Sequence, residues 1–274
     1  MTQIFLGIDA GSVSTKAVAM SPAGEILASS YLPTGGDPLT AANQALAEVK
    51  QQIDGGILGI AVTGSARELV GEKLSATIIK NEITCQALAA AHLVPDAKTV
   101  IEIGGQDSKL IIIRDGLVCD FAMNTVCAAG TGSFLEHQAR RLGLSVEEFA
   151  ALALESHSPI KVTGRCTVFA ESDMIHAQQT GSKPADIIYG LCLALVRNFV
   201  ADAGRNRPIE PLIVFQGGVA KNAGMVKAFK EKLGVEIIVP PAPELSGALG
   251  AVLLLKRDLE HNKSRHFQGT VGLK

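Results

Sequence analysis

Two short segments of the chain combine small residues, an acid and a lysine at matching positions. They read Asp9-Ala-Gly-Ser-Val-Ser-Thr-Lys16 and Glu102-Ile-Gly-Gly-Gln-Asp-Ser-Lys109. Backbone N–H groups of small residues can approach phosphate oxygens closely, and an acid at a strand end can hold Mg²⁺ through water. Neither segment is a Walker A loop, because its lysine leads into a predicted strand and does not open a helix. Each segment alone could be an ordinary hairpin with an acid at its mouth, but the matching pair predicts phosphate binding.

A third segment, Phe215-Gln-Gly-Gly-Val-Ala-Lys-Asn222, has two adjacent glycines between a predicted strand and a predicted helix. Backbone without side chains suits a flat adenine or ribose lying against it. An ordinary strand-to-helix turn would have the same composition. The segment therefore gains weight as a nucleoside site only from the two phosphate segments before it.

The chain has five cysteines, and two of them come just before predicted helices. Cys127 precedes the helix predicted at 134–142, and Cys166 precedes the helix predicted at 169–179. Backbone N–H groups and the positive end of a helix favour a thiolate, so both residues are candidates for metal binding. From spacing alone two buried thiols are the more frequent alternative, because no C-x-x-C occurs. The other three are expected to be small core residues: Cys85, Cys119 and Cys192.

The elements that must position these residues follow the same order twice. The first half has predicted strands at 4–9, 15–20, 25–32 and 58–62, with helices at 39–53 and 82–93. The second half has predicted strands at 99–103, 109–114 and 117–123, then a helical insert. Strands at 212–215 and 236–239 follow, alternating with helices at 223–233 and from 244 to about 259.

This repeated order predicts an α/β protein with two duplicated domains, each a mixed sheet with flanking helices. The boundary is predicted near Pro95-Asp96. It gives an N-terminal domain at 1–95 with the first phosphate turn. The C-terminal domain at 96–274 has the second phosphate turn, the cysteine motifs and the adenosine segment. The final helix is a candidate to pack back on the first domain.

Composition and charge exclude several classes of protein. Of 274 residues, 47% are hydrophobic and 19% charged, and the formal net charge is −2. Such near-neutral charge, with only short basic clusters, argues against nucleic acid as a partner. No uncharged run reaches the roughly 18 apolar residues of a membrane span, and the N-terminus lacks the basic region of a signal peptide. We therefore expect a cytoplasmic protein without a disulfide framework that binds neither nucleic acid nor a membrane.

In matching order across nearly the whole chain, the three segments resemble the two phosphate segments and the adenosine segment of the actin, sugar-kinase and Hsp70 ATPase superfamily. The resemblance implies ATP and Mg²⁺ in a nucleotide cleft between the two domains. It implies that Asp9 and Asp107 are catalytic and orient Mg²⁺ or the attacking water. It also implies a set of nucleotide-binding residues: Gly11, Ser12, Ser14, Lys16, Gly104, Gly105, Gln106, Gly217, Gly218 and Asn222.

The residues around two of the cysteines resemble a narrower family. Cys127-Ala-Ala-Gly-Thr-Gly and Cys166-Thr-Val-Phe-Ala-Glu-Ser are similar to motifs of the activator (archerase) component of (R)-2-hydroxyacyl-CoA dehydratases, a family shared with ATPase subunits of benzoyl-CoA reductase. The match runs from Gly7 to about Leu254. It implies a homodimer with one oxygen-sensitive [4Fe-4S] cluster, held by Cys127 and Cys166 of each subunit. The arithmetic agrees, because the cluster needs four thiolates and an isologous interface brings two pairs together.

The function that this resemblance implies is ATP-dependent donation of one electron. A ferredoxin- or flavodoxin-type donor would supply the electron, and a partner 2-hydroxyacyl-CoA dehydratase or related CoA-ester reductase would receive it. The helices after the two cysteines are expected to transmit the effect of ATP, with Glu136 and Glu171 on their solvated faces. Two alternatives stay open: a small-molecule kinase of the sugar-kinase type, which leaves the cysteine motifs unexplained, and an actin-like filament ATPase.

Overall fold

A computed structural model of the chain describes residues 3–124, 131–163 and 167–269. The chain divides into two compact units. Unit 1 comprises Met1–His92 together with Leu245–Lys274, and unit 2 comprises Leu93–Glu244. The predicted boundary near Pro95-Asp96 lies a few residues beyond His92. The C-terminal segment, which the sequence boundary assigns to the second domain, lies in unit 1.

Unit 1 is built on a five-stranded mixed sheet. Its elements up to the boundary are β1 (Gln3–Ala10), β2 (Ser14–Met20), β3 (Ile26–Pro33), α1 (Pro38–Gln51), β4 (Gly56–Thr63), α2 (Arg67–Lys73), β5 (Ile78–Ile79) and α3 (Glu82–Leu93). The strand order is β3-β2-β1-β4-β5, in which β1 pairs antiparallel with β2 and parallel with β4. β1 is buried along almost its whole length, which is why its sequence is a continuous apolar run that does not alternate.

Unit 2 repeats this sheet and adds helices. Its elements are β6 (Thr99–Ile103), β7 (Ser108–Arg114), β8 (Leu117–Asn124), α4 (Gly132–Arg141), α5 (Val146–Ala153), α6 (Thr167–Gln179), α7 (Pro184–Asp202), β9 (Ile213–Gln216), a 3-10 turn (Gly218–Lys221), α8 (Ala223–Leu233) and β10 (Ile237–Ile238). The strand order is β10-β9-β6-β7-β8, with β6 antiparallel to β7 and parallel to β9. The two sheets therefore share one topology, and the predicted fold of two duplicated mixed-sheet domains is confirmed.

The core of unit 2 forms where α7, α8 and β9 meet. The ring of Phe229 packs edge-on against Phe199 and Phe215, with ring centroids 5.5 and 5.1 Å apart. Among the described helices, α7 is the one whose length and apolar composition would suit a membrane span, but 67% of its apolar stretch is buried inside the protein. That burial is typical of a core helix.

One further helix, α9 (Ser246–Gly269), completes unit 1 by packing on β1, β2 and β4. The contact is close because Gly7 of β1 carries no side chain. A Cβ there would overlap the backbone of Ala248. Val252 and Leu255 continue the same buried face of the helix. α9 extends to Gly269, beyond the end predicted near residue 259.

The predicted strands and helices occur close to their expected positions, with two exceptions. The sequence pattern gives no prediction for α2 or β5. β5 has only two residues and α2 only seven, too few for a period of 2 or 3.6 to stand out. Both lie at the edge of unit 1 next to β4.

Candidate functional site

The first phosphate turn joins β1 to β2 and brings an acid and a lysine together. Asp9 and Lys16 are cross-strand partners, and Lys16 Nζ donates hydrogen bonds to Asp9 Oδ2 at 3.2 Å and to the Ser14 carbonyl oxygen at 3.3 Å. The Gly11 N–H donates to the same carbonyl at 3.1 Å and closes the turn. The predicted phosphate residues Gly11, Ser12 and Ser14 thus lie on one tight turn, with Ser12 exposed at its tip.

Thr34, at the end of β3, holds this turn from behind. Its hydroxyl donates to the Gly11 carbonyl oxygen at 2.7 Å, and its N–H donates to the Val13 carbonyl oxygen at 2.8 Å. Thr15 and Thr34 also share a hydroxyl hydrogen bond of 3.0 Å. The carbonyl oxygens of Gly11, Val13 and Ser14 therefore all accept hydrogen bonds from other groups of the protein.

Two glycines leave room for the Asp9 carboxylate. Gly64, directly after β4, has a φ of +97°, and a Cβ there would lie 2.6 Å from Asp9 Oδ1. A Cβ at Gly247 in α9 would lie 2.7 Å from Asp9 Oδ2. Any side chain at either position would displace the carboxylate. The sequence analysis missed both glycines, because neither belongs to a recognised turn.

The second phosphate turn joins β6 to β7 and has the same geometry with one more acid. The Gly104 N–H donates to the Asp107 carbonyl oxygen at 3.0 Å, as Gly11 does to Ser14. Lys109 Nζ donates to Glu102 Oε2 at 2.7 Å and to Asp107 Oδ1 at 2.8 Å. Gly105 and Gln106 form the tip, where Gln106 is exposed.

The strand registers define which residues of the two turns correspond. Asp9 faces Lys16 across its hairpin, and Glu102 faces Lys109 across the other. The counterpart of Asp9 is therefore Glu102, whereas Asp107 occupies the position of Ser14. The sequence analysis selected Asp107 and missed Glu102 and Lys109. The identical acid-to-lysine spacing in the two segments was the available signal.

The predicted nucleoside segment follows β9. Gly217 has a φ of +84°, and a Cβ there would lie 2.8 Å from Glu102 Oε1, so its glycine has a structural cause. Gly217 thus leaves room for the Glu102 carboxylate in the same way that Gly64 leaves room for the Asp9 carboxylate. Gly218 is exposed with an unremarkable φ, and none of the described atoms lies near its missing Cβ. Asn222 is buried and accepts a hydrogen bond from the Met225 N–H at 3.1 Å, which caps α8.

The predicted cluster ligands Cys127 and Cys166 lie outside the described residues. In the ranges that are described, no three His, Cys, Asp or Glu side chains are grouped so as to hold a metal ion. The helices that follow the two cysteine motifs are described. α4 begins against the second phosphate turn, because the Gly132 and Ser133 N–H groups donate to the carbonyl oxygens of Gly104 and Gly105 at 2.8 and 3.0 Å.

α4 and α6 are joined by an ion pair between Arg141 and Glu171, each about one-third exposed. Glu171 is therefore in contact with solvent, as expected, and also faces another helix. Glu136 is exposed and pairs with Arg140 one turn along α4. Ahead of α6, the Thr163 N–H and hydroxyl both donate to Asp173 Oδ2 at 2.8 Å, which fixes the chain that leads to the second cysteine motif.

The three remaining cysteines differ from one another. Burial raises the pKa of the Cys85 thiol to about 11 and that of Cys192 to about 12, so both stay protonated as core thiols. The expectation that Cys119 is a core residue is wrong. It lies exposed on β8, the edge strand of the second sheet, none of whose residues is fully buried.

The repeated mixed sheet with flanking helices is the actin-like fold, which a solved ROK family glucokinase and a solved MreB share. The narrower class follows from the sequence. The profile of the BadF/BadG/BcrA/BcrD ATPase family matches residues 6–254, and the chain belongs to this family.

Relatives within the family have names that describe activation of dehydratases. The chain is 39% identical over 252 residues to the activator of lactoyl-CoA dehydratase from Anaerotignum propionicum, covering 90% of this chain and 95% of the relative. It is 35% identical over 253 residues to the (R)-2-hydroxyglutaryl-CoA dehydratase activating ATPase of Acidaminococcus fermentans, with the same coverages. A solved activator of 2-hydroxyisocaproyl-CoA dehydratase from Clostridium difficile, with bound ADPNP, matches with a TM-score of 0.88 at 30% identity, covering 96% of this chain and 97% of that chain. The expected kinship with dehydratase activators is confirmed.

Proposed function

We propose that this chain is a cytoplasmic ATP-dependent one-electron donor that reductively activates a partner 2-hydroxyacyl-CoA dehydratase or a related CoA-ester reductase. A homodimer holds one [4Fe-4S] cluster through Cys127 and Cys166 of each subunit. One electron enters from a ferredoxin- or flavodoxin-type donor and one electron leaves to the partner. ATP and water become ADP and phosphate in the same cycle.

The observation that carries this proposal is the match, along about nine-tenths of the chain, to relatives named as dehydratase activators. The two cysteine motifs add a reason for electron transfer, because thiolates are the protein ligands of iron–sulfur clusters. The cluster supplies one-electron chemistry when bound. A sugar kinase of the same fold would need neither cysteine, so the kinase alternative takes second place.

The two turns fit a magnesium nucleotide by the chemistry of their donors. Carboxylate oxygens are ligands that Mg²⁺ prefers, and Asp9 and Asp107 each present one on a phosphate turn. The N–H groups of Ser12, Gly105 and their neighbours would bind phosphate oxygens, and Lys16 adds a positive charge. Gly218 offers bare backbone to the nucleoside. Asn222 caps α8, the helix that follows this segment.

The coupling between nucleotide and cluster would pass through α4. Its first two N–H groups are bonded to the second phosphate turn, so a shift of Gly104 or Gly105 pulls on the helix that follows Cys127. The Arg141–Glu171 pair joins α4 to α6, which follows Cys166. The energy scale is reasonable, since about 3 kcal/mol of conformational energy moves a one-electron potential by roughly 130 mV.

Anaerobic purification followed by an electron-transfer assay tests the proposal. The protein should be brown, should lose colour in air, and with ATP and dithionite should activate the lactoyl-CoA dehydratase of Anaerotignum propionicum. ATP should also drive reduction of an artificial one-electron acceptor. An iron-free preparation that transfers phosphate to a member of a sugar panel would refute the proposal and favour the kinase.

A further inference from the structure

The two phosphate turns contain equivalent lysines in different surroundings. Lys109 is 2% exposed and lies between the Glu102 and Asp107 carboxylates, at 2.7 and 2.8 Å. Lys16 is 14% exposed, and its Nζ lies 3.2 Å from Asp9. Where Asp107 stands in the second turn, the first turn has the uncharged Ser14. The two lysines therefore match in sequence position but differ in burial and in the number of carboxylates that they contact.

The two carboxylates around Lys109 are not equivalent either. Glu102 is 6% exposed and lies against the bare backbone of Gly104 and Gly217, where a Cβ would lie 3.4 and 2.8 Å from Oε1. Asp107 is 28% exposed at the mouth of the turn. Burying the Lys109 ammonium requires a partner, and Glu102 is the partner fixed in place. The three side chains together carry one negative charge, and Asp107 is where a ligand can reach it.

We propose that Lys109 is a positioning residue, which orients the Asp107 carboxylate toward Mg²⁺ while Glu102 balances the charge of Lys109. The inference rests on the proposed function of the turns as an ATP site. It assigns the two lysines different tasks. Lys16 faces the phosphates of the nucleotide, whereas Lys109 acts only through Asp107. The second turn is then the one that attracts the cation, because its charged residues sum to −1 and the Asp9–Lys16 pair sums to zero.

Magnesium titrations of nucleotide binding test this assignment without relying on turnover. The probe is a fluorescent N-methylanthraniloyl-ADP, titrated with Mg²⁺ and measured separately in EDTA. Glu102→Gln leaves Lys109 to neutralise Asp107, so the half-saturating Mg²⁺ concentration should rise about tenfold. Asp107→Asn should raise it similarly. Affinity for the probe in EDTA should stay within about twofold of the wild type in both variants.

The double variant Glu102→Gln/Lys109→Met separates positioning from structure. It removes the buried charge pair together, so Asp107 regains its charge but lacks the ammonium group that orients it. The half-saturating Mg²⁺ concentration should therefore fall below that of Glu102→Gln and stay above the wild-type value. The kcat for ATP hydrolysis should be at least about tenfold below the wild-type value, with KM for ATP little changed, because the Asp107 carboxylate has lost its contact with Lys109. Glu210→Gln is the matched control, since Glu210 pairs with Lys98 and Arg114 at the opposite end of β6 and β7.

An unchanged Mg²⁺ requirement in Glu102→Gln and Asp107→Asn would overturn the inference, and this outcome can be measured even if the double variant fails to fold. A double variant with the full wild-type Mg²⁺ requirement would overturn the positioning role of Lys109. A drop in melting temperature without a change in Mg²⁺ requirement would assign Lys109 a structural role and would overturn it too. Wild-type protein that binds no magnesium nucleotide would instead refute the proposed function. The two failures are therefore distinguishable.

Discussion

Asp9 lies at the end of a buried strand, with its carboxylate between the backbone of Gly64 and Gly247 and an ion pair to Lys16. Asp9→Asn keeps the shape of the side chain but removes its charge. We expect magnesium-dependent ATP hydrolysis to fall at least about a hundredfold, because the proposed role of the residue is to orient Mg²⁺ or the attacking water. Phosphate release measures the rate, and thermal unfolding checks that the fold is intact. Hydrolysis at the wild-type rate would remove Asp9 from the site.

Gly247 tests whether the space around Asp9 matters. In Gly247→Ala the new Cβ would lie 2.7 Å from Asp9 Oδ2, so the carboxylate must move and hydrolysis should fall about tenfold. The helix itself should not be destabilised, since alanine is favoured over glycine in helices by about 1 kcal/mol. Gly56→Ala is the control, because none of the described atoms lies within 4 Å of its Cβ. Equal rates in the two variants would contradict the role of Gly247.

At the level of residues, the sequence predicts those site members that lie within one short segment. Asp9, Gly11 and Lys16 share a turn, so their spacing reveals them. Gly247 comes from α9, far along the chain, and only the packing of α9 on β1 brings it to Asp9. Glu102 was passed over because Asp107 is the acid within the Gly-rich turn, and strand register is what makes Glu102 the counterpart of Asp9.

At the level of elements, the ion pair between α4 and α6 offers a test of coupling. Arg141→Gln should lower ATP-driven electron delivery several-fold while ATP hydrolysis stays within about twofold, because the pair is remote from both phosphate turns in sequence. An exposed pair contributes at most about 1 kcal/mol, so the fold should survive. The charge-reversed variant Arg141→Glu/Glu171→Arg should recover delivery.

The control for this pair lies on the same helix. Glu136 pairs with Arg140 within α4 and contacts no second helix through that pair, so Glu136→Gln should leave coupling unchanged. The ratio of electrons delivered to ATP hydrolysed is the measurement. A ratio that is unchanged in Arg141→Gln would show that α4 and α6 respond independently.

Element prediction succeeds where a pattern is long enough to repeat. The strands of both hairpins and the helix α1, with Pro38 at its start and Asp37 as its cap, follow from apolar spacing and turn residues. α2 and β5 lack that length. The exposure of Cys119 could not be inferred from its apolar neighbours on β8, because an outer strand has no partner sheet in the described chain to bury it.

At the level of the whole molecule, a shared cluster predicts a composition. Anaerobic protein should contain about four iron atoms per dimer, from the cluster formula. Cys127→Ser or Cys166→Ser should lose the iron and weaken the dimer, because hydroxyls bind iron poorly and the proposed cluster links the subunits. Iron analysis and sedimentation measure the two effects. An iron-loaded monomer would rule out the shared cluster.

Cys119→Ser is the matched control for these variants. Cys119 is already exposed to solvent, so serine should cost little stability and leave the iron–sulfur absorption unchanged. Nucleotide binding should persist in Cys127→Ser and Cys166→Ser, because the phosphate turns are separate segments of the chain. Electron donation that persists in a Cys127→Ser/Cys166→Ser double variant would mean that these thiols are not the ligands.

The discontinuity of unit 1 sets an order for events on the ribosome. Unit 2 is complete once Glu244 has been synthesised, but β1, β2 and β4 were made first and still lack α9. Translation proceeds at about 5–20 residues per second. The whole of unit 2 must therefore be translated before α9, the helix that covers the N-terminal sheet, is synthesised. The unit that begins first therefore finishes last. During that interval the face of β1 that α9 will bury stays uncovered, and exposed apolar surface of this kind is what chaperones protect from aggregation.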